Sequence, residues 1–338
     1  MSLLSVKNLA IDLRRENRAH RLVHDATFHV DAGETVAIVG ESGSGKSLSA
    51  LAIMGLLAEE LSVAEGAIAF EDRDLLGLDA EQMRLLRGSG IAMIFQEPMT
   101  SLNPVKSIGR QLTEGMRLNQ GISRRDAQNR AIELLQEVGV SDAAKRLKQY
   151  PHQLSGGMRQ RVMIAIALAC KPHLILADEP TTALDVTIQA QILSLTAKLP
   201  ESLGLTYLFI GHDLSVVRHL CDRVAVMYLG SMMETAASEP LFAQPLHPYT
   251  RALIDAVPNP DPDAESERHV EPLQGEVPSP TNPPSGCVFH PRCSHATAQC
   301  SRQRPPAETH LPDHIAACWH PVFEPSPIPD QSRQEVFA

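Results

Sequence analysis

The feature that most restricts this chain is one short passage near its start. An uninterrupted apolar run, Thr35-Val36-Ala37-Ile38-Val39, leads into Gly40-Glu41-Ser42-Gly43-Ser44-Gly45-Lys46-Ser47, and a helical pattern from Leu48 to Leu57 follows. An apolar run without alternation predicts a strand buried on both faces, as in a parallel sheet. The glycines free successive backbone N–H groups to turn inward around phosphate oxygens, and the helix that begins there adds its positive end. Lys46 is placed to reach β- and γ-phosphates, and the Ser47 hydroxyl to ligate Mg²⁺. Strand, loop and helix in this order predict a phosphate-binding loop whose contact residues are Gly40, Ser42, Gly43, Ser44, Gly45, Lys46 and Ser47.

Three further apolar runs, Ile91 to Phe95, Leu174 to Ala177 and Thr206 to Ile210, alternate with helical patterns and predict an α/β core. The run at Leu174 ends in Asp178-Glu179. Ligands of parallel sheets sit at the carboxyl ends of the strands, so these carboxylates are expected beside the phosphate loop. Asp178 suits Mg²⁺, held directly or through its water, and Glu179 suits the water that attacks a γ-phosphate. Between about Glu97 and Ser155 the strand signal disappears. Ser123 caps a pattern from Arg124 to Val138 that turns Ala127, Ala131, Leu134, Leu135 and Val138 to one side and stops at Gly139, so the stretch predicts a helical insertion.

A second candidate anion site lies at Leu154-Ser155-Gly156-Gly157-Met158, where two glycines precede a helical pattern from Arg159 to Cys170. This segment resembles the LSGGQ signature of ATP-binding-cassette ATPases, with Met158 in the fifth place. The remaining motifs of that family follow in order. Gln96 resembles the Q-loop glutamine, Ala183-Leu184-Asp185 the D-loop, and His212 after Phe209-Ile210-Gly211 the switch histidine.

The resemblance covers roughly residues 3–235. It implies a phosphate-loop NTPase cassette with a mixed sheet core, a helical subdomain at about 97–165, and Glu179, His212 and Gln96 as catalytic residues. It also implies Mg²⁺ ligation by Ser47, Gln96 and Asp178. ATP would be sandwiched between the phosphate loop of one subunit and Ser155, Gly156, Gly157 and Asp185 of another. One departure concerns the adenine, which this family stacks on an aromatic residue upstream of the first buried strand. Asn17, Arg18, Ala19 and His20 occupy that region here.

Composition narrows the partners. The chain has 338 residues and a formal charge of −10, with Lys+Arg 30 against Asp+Glu 40, so it offers no broad basic footprint for nucleic acid. Its longest apolar run, Val162 to Cys170, falls short of the roughly 18–20 residues of a membrane span. The mixed charges of MSLLSVKNLAIDLRREN do not suit a secretory signal, so a cytosolic chain reaching a membrane through a partner is expected.

Proline marks a boundary near residue 235: of 25 prolines, 19 lie beyond it, where regular core structure is not expected. The stretch Leu246 to Ile254, with Val257-Pro258, resembles the tail of cassette ATPases from peptide and nickel importers. Cys170 and Cys221 sit in apolar runs and predict small buried side chains. The other four cysteines, Cys287, Cys293, Cys300 and Cys318, are separated by 5, 6 and 17 residues and predict a bound metal as the organising centre of a loop with little core. Four thiolates suit a [4Fe–4S] cluster or a structural Zn²⁺, and His290, His295, His314 and His320 keep a mixed zinc site open. The full cysteine set resembles the dipeptide and oligopeptide branch. Pro258 to Gly286 reads as an extended linker, and the chain beyond Pro321 as an unstructured tail.

Taken together, the resemblance implies the ATP-hydrolysing subunit of an importer for di- or oligopeptides at the cytoplasmic face of the cell membrane. Its implied partners are a second, distinct cassette chain, two membrane permeases and an external peptide-binding protein, with no nucleic acid. A nickel importer is the alternative substrate class, and a soluble cassette acting on DNA or ribosomes the alternative of another class.

Overall fold

The computed structural model describes residues 2–15, 18–180, 186–257 and 273–324, with side chains of the helix Val186–Leu203 described from 188 to 196. Its strands are β1 (Ser2–Arg15), β2 (Arg18–Asp31), β3 (Thr35–Val39), β4 (Leu61–Phe70), β5 (Arg73–Asp74), β6 (Ile91–Ile94), β7 (Leu174–Asp178), β8 (Thr206–Gly211), β9 (Arg223–Tyr228), β10 (Ser231–Ala237), β11 (Glu308–Leu311) and β12 (His314–Ala316). The chain forms two compact units. One comprises Asp31–Glu34 and Gly77–Phe209, and the other Ser2–Val30, Thr35–Leu76 and the residues from Ile210 onward.

The first unit is mainly helical. Its strands β6 and β7 run parallel, with Ile91 opposite Leu174 and Ile94 opposite Ala177, and β8 lies on the far side of β7. All four residues of β6 and all five of β7 are buried, as continuous apolar runs require. The stretch predicted as a helical insertion holds helices Pro98–Ser101, Ile108–Gln120, Arg124–Glu137 and Ala143–Arg146, and the helix Gly156–Leu168 follows it. Ser123 caps Arg124–Glu137 by accepting from the Asp126 N–H at 3.2 Å, and the helix buries Ala127, Ala131, Leu134 and Leu135.

The second unit carries two sheets. The smaller has the order β2-β1-β4-β5, with β1 and β4 antiparallel from Leu4↔Phe70 to Leu13↔Leu61. The larger runs β11-β12-β10-β9-β3. Here β3 and β9 are parallel, with Val36 opposite Arg223 and Val39 opposite Val226, and the remaining pairs are antiparallel.

The proline-rich C-terminal region holds more structure than its composition predicts. Strand β10 crosses residue 235, β12 adds to its edge with Ala316 opposite Glu234, and helices form at Ser238–Ala243, Pro248–Asp255 and Ala298–Arg302. Val288 and Phe289 are 1% exposed and Tyr249 is fully buried, so the cysteine segment does not lack a core. Its apolar side chains pack on β9, where Tyr228, Tyr249 and Phe289 meet with ring centroids 4.7–5.3 Å apart. The prolines are accommodated because they start helices, as Pro248 does, or lie in loops where no ladder donor is needed.

Candidate nucleotide site and cysteine cavity

The phosphate loop lies in the second unit, between β3 and the helix Lys46–Ile53. That helix ends earlier than its sequence pattern because Gly55 turns to φ +59°, with the N–H of Leu56 reaching the carbonyl of Leu51 at 2.8 Å. Gly40 is dictated by packing: its φ is +154°, and a Cβ there would stand 2.0 Å from the Met227 carbonyl oxygen on β9. Gly45, at φ +100°, is the residue from which the helix starts. Ser42 and Gly43 are exposed, while Ser44 and Lys46 are 2% and 4% exposed. The Lys46 ammonium donates to the carbonyls of Gly40 at 2.7 Å and Glu41 at 3.0 Å, and to Ser44 Oγ at 3.2 Å. The loop is therefore curled around its own lysine, with Ser47 half-buried on the first helical turn.

His212 is also in this unit, exposed at the start of the turn that follows β8. The next residue, Asp213, caps the helix Leu214–Leu220 by accepting from the N–H groups of Ser215 and Val216. Of the residues that occupy the region of the family's adenine-stacking aromatic, Asn17 lies outside the described residues, Arg18 is exposed, and His20 Nδ1 donates to the Thr281 carbonyl at 3.2 Å.

Gln96, Asp178, Glu179 and the Ser155–Gly157 segment all belong to the first unit. Asp178 closes β7 with 7% exposure, and Glu179 follows at φ +43°, a left-handed conformation in which an L side chain is sterically strained. The Gln96 side-chain amide donates to Glu179 Oε2 at 2.8 Å, so two residues 83 apart in sequence share one polar site. Ser155 caps Gly156–Leu168 by accepting from the Met158 N–H at 3.4 Å, which starts that helix earlier than its apolar pattern implies. Ser155 and Gly156 are exposed, and a Cβ on Gly157 would stand 2.7 Å from Ile188 Cγ2. From the same helix Gln160, 1% exposed, donates to the Pro180 carbonyl at 2.5 Å and ties the glycine pair's helix to the loop after Glu179. Asp185 lies outside the described residues.

Cys287, Cys293, Cys300 and Cys318 line one small cavity in the second unit, together with His290, His295 and His320. Burial pushes the Cys293 thiol up to about 11, that of Cys318 to about 12, and raises that of Cys287. His314 departs from the zinc expectation: its Nε2 donates at 2.6 Å to Glu234, a carboxylate buried with it. Glu234 also accepts the N–H groups of Leu246 and His247, at 2.7 and 2.9 Å. The donor chemistry of the cavity suits a soft metal, but among the described residues no three His, Cys, Asp or Glu side chains are arranged to hold a metal ion. A tetrahedral Zn–S bond of about 2.3 Å draws thiolates to within about 4 Å of one another, so the zinc expectation is not supported by this arrangement. The cluster is likewise not supported by this arrangement. Cys170 and Cys221 are buried at 8% and 0% exposure, as their apolar surroundings predict.

Local sequence gave no sign of the contacts that hold the phosphate loop from behind. Tyr249 Oη accepts from the Glu41 N–H at 2.9 Å, and the Glu41 carboxylate takes both terminal nitrogens of Arg292, at 2.6 and 3.1 Å. Opposite charge is the signal that joins Glu41 to Arg292, but a separation of 251 residues removes any spacing rule that would pair them.

Residues 23–182 match the ABC transporter family, and residues 233–300 match the oligopeptide/dipeptide transporter C-terminal region. The chain is 48% identical over 318 residues to the probable peptide ABC transporter ATP-binding protein y4tR of Sinorhizobium fredii (strain NBRC 101917 / NGR234), across 94% of each chain. It is 47% identical over 319 residues to the oligopeptide transport ATP-binding protein AppD of Bacillus subtilis (strain 168), across 94% of this chain and 96% of AppD. Among solved structures it resembles the dimeric ATP-binding cassette MJ0796 in a post-hydrolysis state bound to ADP and Pi, with a TM-score of 0.63 and 28% identity over 70% of this chain and 98% of that one. A complete phosphate loop, a glycine pair at a second helix start and these likenesses lead to one assignment: the chain belongs to the ATP-hydrolysing subunits of the ABC transporter family, with the C-terminal region of its oligopeptide/dipeptide branch.

Proposed function

We propose that this chain energises the import of di- or oligopeptides by binding and hydrolysing ATP at the cytoplasmic face of the cell membrane. The observation that carries the reading is the pairing of a complete phosphate loop with the C-terminal region of peptide importers on one chain, in relatives that match nearly end to end. Among the described residues no helix is long and apolar enough to cross a membrane, so the reading requires membrane subunits as partners. A second cassette chain, two permeases and an external peptide-binding protein make up the assembly. Functionally the chain divides into a cassette at 1–235, with its helical subdomain at about 97–165, and a C-terminal region at 236–338.

In this reading the amides of Gly43, Ser44 and Gly45 cradle phosphate oxygens, aided by the positive end of the helix Lys46–Ile53. Lys46 exchanges its bonds to the loop carbonyls for the β- and γ-phosphates. Glu179 accepts the proton of the attacking water, Gln96 orients that carboxylate, and His212 donates to the γ-phosphate. Ser47, Gln96 and Asp178 supply oxygen donors suited to Mg²⁺, a hard cation, which when bound neutralises charge on the phosphate oxygens. Ser155, Gly156, Gly157 and Asp185 complete the pocket of the partner cassette, so hydrolysis belongs to a dimer.

The four-thiol cavity is proposed to hold a [4Fe–4S] cluster in a structural role. The support is chemical: a cluster binds each thiolate to a different iron and so does not gather three donors around one ion. Anaerobic purification with iron, sulfide and zinc analysis tests it; a colourless, iron-free protein rejects it. The transport reading is tested with the assembled complex in proteoliposomes, supplied with dipeptides, longer peptides or Ni²⁺. ATP-dependent accumulation of peptides is expected, and accumulation of Ni²⁺ alone overturns the substrate class.

A further inference from the structure

The cysteine segment reaches the phosphate loop through one side chain. Arg292 lies between Cys287 and Cys293, and its side chain is 5% exposed. Its two terminal nitrogens meet the two carboxylate oxygens of Glu41, the residue directly after Gly40. The same guanidinium donates to Tyr228 Oη at 3.3 Å, sits 5.8 Å from that ring's centroid, and donates through Nε to the Gln274 carbonyl at 3.4 Å. It is thus held by two residues, Tyr228 and Gln274, besides the loop itself. Glu41 is gripped at each end, since its N–H donates to Tyr249 and its carbonyl accepts from Lys46.

This arrangement has an electrostatic consequence. Glu41 places a carboxylate inside a loop whose task is to bind a polyanion, and in a partly buried site that charge is screened weakly. A bidentate guanidinium is the strongest charge-neutralising partner available to it, and it fixes geometry as well as charge. We propose that Arg292 is a positioning residue for the ATP site, acting through Glu41: it cancels the Glu41 charge beside the bound phosphates, so the cysteine segment sets the affinity for nucleotide. The inference deepens the ATPase reading of the same loop and rests on it.

The test measures Mg²⁺–ATP binding to the full-length chain, together with KM and kcat of the assembled complex. Arg292→Ala is expected to raise Kd and KM by about tenfold to a hundredfold while kcat changes less than threefold. The double variant Arg292→Ala/Glu41→Gln removes the exposed charge and is expected to recover most of the affinity. Arg292→Lys keeps the charge without the fork and falls between wild type and Arg292→Ala. Unchanged KM in Arg292→Ala, or a double variant as weak as the single, overturns the proposal, the latter because it reduces Arg292 to packing. If Arg292→Ala does not fold, Glu41→Gln carries the test alone: a guanidinium released from its carboxylate should tighten ATP binding, and equal or weaker binding rejects the idea. A wild-type chain that binds no ATP defeats the ATPase reading instead, so the two failures are distinct.

Discussion

Glu179 Oε2 accepts a 2.8 Å hydrogen bond from the Gln96 side-chain amide. An amide donor aims the carboxylate without giving it a proton, which is what a base for water attack requires. Glu179→Gln keeps the shape and removes the proton acceptor. ATP binding should persist while turnover of the assembled transporter falls about 10²–10⁴-fold. Equilibrium ATP binding and steady-state phosphate release on the same preparation check both halves, and unimpaired turnover would remove Glu179 from the mechanism.

Gly40 admits no side chain, because a Cβ would stand 2.0 Å from the Met227 carbonyl. Neither strand can yield without breaking the parallel pairing of β3 and β9. Gly40→Ala is expected to cost about 3 kcal/mol of stability and to abolish ATP binding. Urea unfolding and nucleotide titration measure the two effects, and a variant of normal stability and affinity contradicts the packing argument.

Glu234 is the buried junction of β10, the segment entering the helix Pro248–Asp255, and β12 through His314. Replacing it by Ala strands two backbone N–H groups and a histidine away from water. Glu234→Ala should destabilise the protein by about 3–5 kcal/mol, and Glu234→Gln by less because one acceptor remains. Shifts in the urea midpoint provide the comparison.

Burial holds the His247 imidazole well below its usual range, at about 4, while its Nδ1 accepts the Tyr249 N–H at 3.0 Å. The unfolded chain takes up this proton first as pH falls. Stability from this group is therefore complete above pH 6.5 and lost as pH drops toward 4. His24, also depressed to about 4 by burial, adds in the same direction. His247→Asn retains a capping acceptor without the titration, so its unfolding midpoint should fall less between pH 7 and pH 5 than that of wild type. Equal slopes would show that His247 does not contribute.

The sequence alone determined the elements whose physics is local. A contiguous glycine-rich loop after a buried strand, the Ser123 cap, and apolar runs at β3, β6, β7 and β8 each carry their signal within a few residues, because helix caps and buried strands are short-range arrangements. Tertiary structure decided what lies behind the nucleotide loop. Arg292 on Glu41, Tyr249 on the Glu41 amide and His314 on Glu234 join residues 251, 208 and 80 positions apart. No periodicity or spacing encodes such pairs; they exist because the proline-rich segment buries Tyr249 and Phe289 against β9 and brings its charges with them.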